Sequence, residues 1–92
     1  MMRRTYVAKV TAPGALAEDF EQMLDVLGGA AMEGADGDEE ITLWFDVRAR
    51  SSQRAVEKAY LSISNIVTRS PGAIALSVTR DRRVAGRRPF RP

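Results

Sequence analysis

The chain has 92 residues, 45% of them apolar, and 14 Lys and Arg stand against 12 Asp and Glu for a formal net charge of +2, the composition of one small folded domain. It contains no Cys and no His, which excludes disulfides, a thiolate nucleophile, a Ser-His triad and the familiar zinc sites. Carboxylates leave oxygen-ligand metal sites open, but none is spaced as a calcium loop, and no apolar run approaches the roughly 18 residues of a membrane-spanning helix.

Met1-Met2-Arg3-Arg4 leads into the alternating stretch Thr5 to Val10 rather than into a signal-peptide core, so a cytoplasmic protein without a membrane anchor is expected. Residues 5–11 place Tyr6, Ala8 and Val10 on one side and Thr5, Val7 and Lys9 on the other, the period of a half-buried strand. Pro13-Gly14 ends it. From Ala15 to Leu27 the apolar positions Leu16, Phe20, Met23, Leu24 and Leu27 fall on one helical stripe. Glu18 and Asp19 suit the positive end of that helix, and Gly28 is expected to cap it in a left-handed conformation.

Ala30–Ala35 reads as a short strand of poor β-propensity that leads into an acidic stretch, Asp36 to Glu40, which with Gly37 reads as a hairpin turn. Ile41 to Val47 is the strongest strand, with Ile41, Leu43, Phe45 and Val47 on one face and Thr42, Trp44 and Asp46 on the other. Ser51-Ser52 offers a helix cap, and Val56, Ala59, Tyr60, Ile63, Ile66 and Val67 continue at helical spacing to about Thr68. Ser70-Pro71-Gly72 turns the chain into a last alternating strand carrying Ile74, Leu76 and Val78.

This order predicts an α+β fold of the ferredoxin-like βαββαβ kind, a four-stranded antiparallel sheet with two helices on one face. Residues 1–83 form the expected domain and 84–92 an Arg-rich C-terminal tail. Residues 1–79 carry a net charge of −3, whereas 80–92 hold Arg80, Arg82, Arg83, Arg87, Arg88 and Arg91 against Asp81. Such an end cannot build a core, and it reads either as a solubilising tail or as a contact for phosphate groups or an acidic partner.

One face of the predicted sheet lacks a helix cover. Its expected occupants are Val7, Lys9, Thr42, Trp44, Asp46, Ala75, Ser77 and Thr79. A face of this type is solvated, binds a ligand or nucleic acid, or packs on a second copy. Trp44 asks for an explanation because an indole buries a large apolar area. The reading is a homodimer contact through Val7, Trp44 and Ser77, with local packing under the tail and ligand or base stacking as the alternatives.

The stretch Val10-Thr11-Ala12-Pro13-Gly14-Ala15-Leu16-Ala17, the helix ending at Gly28-Gly29, and the second Pro-Gly at Pro71-Gly72 resemble an ACT domain, a small regulatory module that often binds amino acids. The resemblance spans about residues 5–80. It implies pairing between subunits and an effector near the first strand-helix loop, with Pro13, Gly14, Ala15 and Leu16 as the ligand-binding residues. Ala12 departs from the acidic or polar residue that often precedes the family's Pro-Gly.

An RNA-recognition domain would show a basic-aromatic third strand, and here Glu39-Glu40 precede that strand and Asp46 lies within it. Glu33, Asp38 and Asp46 are candidate acids for enzymatic work, but no spacing brings a pair of them together. The glycines at 28, 29, 34 and 37 lack the context of a phosphate loop. The expected protein is therefore a non-enzymatic homodimer without cofactor or metal, acting on a protein partner or a small effector. The alternative is a nucleic-acid-binding protein that uses the arginine tail and the open sheet face.

Overall fold

Two ten-residue strands form the centre of the sheet, and their alternation explains both faces. The structure, a computed structural model, describes residues 4–70 and 72–80. Strand β1 (Arg4–Pro13) pairs antiparallel with β3 (Glu40–Ala49) along its whole length, Ala8 opposite Phe45 and Val10 opposite Leu43. Strand β4 (Ala75–Arg80) lies on the other edge of β1, and the short β2 (Ala31–Glu33) on the outer edge of β3. All pairings are antiparallel, in the order β2-β3-β1-β4.

From Tyr6 to Ala12 and from Ile41 to Ala49 the inward positions of β1 and β3 are apolar at every second residue. Tyr6, Ala8, Val10 and Ala12 join Ile41, Leu43, Phe45, Val47 and Ala49 in one buried cluster. The same cluster takes in Ala17 and Phe20 of α1 (Ala17–Glu21), Ala55 and Ala59 of α2 (Ser52–Ser62), Ile66 of α3 (Ser64–Arg69), and Ile63 between the last two helices. Burying each of the large members contributes about 1.5–3 kcal/mol, so the elements are held together chiefly by this layer.

Both helical segments depart from the sequence expectation. The predicted helix over 15–27 is a 3₁₀ turn (Gly14–Leu16), the five-residue α1, and a series of turns to Leu27. In those turns Met23 donates to the Phe20 carbonyl and Leu24 to that of Glu21, three residues back instead of four. Two causes are visible. No side chain caps the helix start, and Glu18 with Glu21, then Glu21 with Asp25, set like charges at helical contact spacing with no basic residue between them. The apolar stripe nevertheless docks, with Leu16, Met23, Leu24 and Leu27 half-buried against the core.

The second helix starts as predicted, Ser51 Oγ accepting from the Arg54 amide. It breaks at Ile63, where Ser62 Oγ donates back to the Lys58 carbonyl at 2.9 Å, a bond that bends helices. Its buried stripe is Ala55, Ala59, Ile63 and Ile66, while Val56 and Tyr60 are exposed. Two alanines on the inner face let the helix lie close to the sheet, and that rotation leaves the larger side chains outside.

The hairpin turn forms where the acids predicted it. Asp38 closes it by accepting from the Ala35 amide at 2.8 Å, and its own amide donates to the Ala35 carbonyl. The left-handed residue after α1 is Gly29 (φ 60°), not Gly28. The segment there adjoins β3, with the Asp46 amide donating to the Gly28 carbonyl at 2.7 Å. A Cβ on Gly29 would meet the end of the Asp46 side chain, and the positive φ is what calls for glycine.

Candidate functional site

The outward positions of the strands form rows across the sheet. Register places Ala31, Trp44, Lys9 and Ser77 in one row, and Glu33, Thr42, Thr11 and Ala75 in the next toward the hairpin turn. On the other side of the Trp44 row come Asp46, Val7 and Thr79. These include all eight residues expected on this face. Five of these eleven side chains, Thr11, Thr42, Asp46, Ser77 and Thr79, are short and polar, and Trp44 is the only aromatic one among the eleven.

Val7, Trp44 and Ser77 differ in what they present. Ser77 is exposed and Trp44 is half-buried. Val7 is only 6% exposed and lies outside the main core cluster, so little of it is offered to another molecule. Lys9, exposed in the middle of the face, is the register partner of both Trp44 and Ser77. Glu33 also sits on this face, exposed at the edge.

The first loop is built around a close backbone approach. Gly14 is buried, its amide donates to the Glu39 carbonyl at 3.2 Å, and a Cβ there would overlap the Asp38 carbonyl oxygen. The Pro13-Gly14 pair thus has a structural duty: it lets the end of β1 rest on the β2–β3 turn. Leu16 packs against the core and Ala15 is exposed. Beside the loop lies an open cavity of about 290 Å³ lined by Pro13, Thr11, Glu39, Glu40, Gly72 and Ile74 among others. Of the four expected ligand-binding residues, Pro13 alone lines it.

Arg80 is exposed at the end of β4, opposite Tyr6. The remaining arginines singled out from the sequence, Arg82, Arg83, Arg87, Arg88 and Arg91, and the tail boundary at 84, lie outside the described residues. Among the described residues no three carboxylates gather into a metal-binding group, and none of their helices is long and apolar enough to cross a membrane.

A second cleft, of about 400 Å³, was not anticipated. It opens between the end of β3 and α2 and is lined by Ala49, Arg50, Arg54, Glu57, Lys58 and Leu61. Lys58 Nζ donates to the Arg48 carbonyl at 2.6 Å and anchors the helix to the strand end. The available signal was the four-residue spacing of Arg54 and Lys58, which puts both on one helix side just after two strand-end arginines. Comparisons of the chain with protein-family models, with curated proteins and with solved structures each return no match.

Proposed function

We propose that the chain is a non-enzymatic, homodimeric binding module of ferredoxin-like architecture that acts in the cytoplasm on a protein partner or a small effector. The strand order β2-β3-β1-β4 and the helix residues sharing one core with the inward strand positions support the architecture. The dimer reading rests on one observation: the rows around Trp44 make a broad surface of mainly short side chains in which a single indole stands beside the exposed Lys9. Two copies related by a twofold axis can bring that same surface together, each indole burying apolar area against the other copy.

An ACT-like role contributes the idea of an effector at the first loop. The Gly14 amide is committed to Glu39, so the cavity beside Pro13 is the better place for it. Glu39 and Glu40 in its lining favour a ligand that brings an amine. Nucleic acid on the open face is the poorer reading, because Glu33 and Asp46 share that face.

Light scattering over a dilution series tests the dimer. The expected result is twice the chain mass at high concentration, and Trp44→Ala should shift dissociation to at least about tenfold higher concentration, the loss of one aromatic anchor. A monomer throughout, or a variant that dilutes like the parent, contradicts the proposal.

A further inference from the structure

Most of the described cations gather at one end of the sheet. Antiparallel register brings Arg4 at the start of β1, Arg48 near the end of β3 and Arg80 at the end of β4 to that end. Arg50 follows in the turn, and Arg54 and Lys58 reach the cleft from α2. All six are exposed. Glu57 is the acid in the cleft lining, 3.9 Å from Arg54 with both side chains largely in solvent, a pairing too exposed to neutralise the cleft cations. Lys58 spends one donor on the Arg48 carbonyl and keeps two others.

The stretch between the basic ends of β1 and β3 has the opposite sign. Between Lys9 and Arg48 there is no Lys or Arg, and there are ten Asp and Glu. Glu33, Asp36, Asp38, Glu39 and Glu40 surround the β2–β3 turn at the far end of the strands. The domain is therefore polarised along its strands, and such a field turns the basic end toward an approaching polyanion.

We propose that this basic end is a nucleic-acid-binding surface that grips the phosphate backbone without reading base sequence. Five of the six cations are arginines, whose planar forks match phosphate oxygens. They spread over three strand ends and a helix, a footprint suited to several phosphates in succession. The cleft offers only Ala49 and Leu61 as apolar lining, too little to anchor a protein partner, and no aromatic residue on which a base could stack. The proposal uses none of Val7, Trp44 and Ser77 and does not depend on the dimer.

The test is fluorescence anisotropy with the full chain and a labelled duplex DNA of arbitrary sequence, about 20 base pairs long, between about 50 and 200 mM salt. Binding should weaken steeply with salt. Exchanging both arginines that line the cleft, Arg50→Gln with Arg54→Gln, should lower affinity at least about tenfold and flatten the log–log salt slope by about 2, one unit per lost phosphate contact. Glu57→Gln should tighten binding, a direction that damage to the fold would not produce. Absence of binding by the parent chain, an unchanged slope in the double variant, or weaker binding in Glu57→Gln overturns the proposal. Displacement of the DNA by polyglutamate of matched charge also overturns it and assigns the surface to an acidic protein.

Discussion

The two faces of the sheet are made by the same strands and have opposite chemistry. Inward, β1 and β3 contribute nine buried apolar side chains that join the helices in one cluster. Outward, the same strands carry Thr5, Lys9, Thr11, Thr42, Trp44, Asp46 and Arg48, with Val7 as the one buried residue. Folding energy is thus concentrated on one side of a two-sided layer. The other side is left free of that constraint and can carry binding chemistry, a separation that antiparallel sheets allow because their side chains alternate.

The largest effect that would sharpen this contrast is on the inner face. Phe45 is 1% exposed at the centre of β3, and Phe45→Ala should cost about 3–5 kcal/mol in chemical denaturation, the transfer loss plus the cavity it leaves. A cost near that of a surface change would mean that the cluster does not hold the sheet to its helices. Next in size is Gly14→Ala, which forces the β1 end off the Asp38 carbonyl and should cost about 2–4 kcal/mol. A thermal melt that does not move would show that the loop and the hairpin turn separate freely. The smallest is Ser77→Ala on the exposed outer row, expected to stay within about 0.5 kcal/mol of the parent. A loss comparable to that of Phe45→Ala would erase the distinction between the faces.

Much of this architecture was legible in the sequence. Period-2 alternation from Tyr6 to Val10 and from Ile41 to Val47 marks the two central strands and sorts their residues to the faces they occupy. The Asp36 to Glu40 acids mark the turn, and Ser51 marks a helix start that its side chain then caps. The helices were read less well. The apolar stripe over 16–27 reports which side of the segment docks, and it docks there even though the backbone is a run of turns. Hydrophobic spacing cannot distinguish a regular helix from a distorted one when the same side chains reach the same core. Around α2 the expected stripe holds Ala59 together with the larger Val56 and Tyr60, whereas the inner face is taken by the small Ala55 and Ala59, which permit the closer approach, and Val56 and Tyr60 stay outside.

The candidate site divides in the same way. The eight outward residues follow from alternation, but the pairing that puts Lys9 beside Trp44 does not, since any even shift of register would keep each residue on its face. The Pro13-Gly14 pair was visible as a turn and invited an effector, and only the approach of the Asp38 carbonyl reveals why glycine is needed.

By itself the sequence determined the identity and inner face of each central strand, the absence of Cys and His chemistry, and the segregation of acids into the stretch between Lys9 and Arg48. Those are local or compositional properties, written in the spacing and type of neighbouring residues. Tertiary structure alone decided that Arg4 and Arg80 join Arg48, Arg50, Arg54 and Lys58 at one end of the molecule. Residues more than seventy positions apart become neighbours there because the strands run antiparallel in one register, and register is set by the long-range packing of the core.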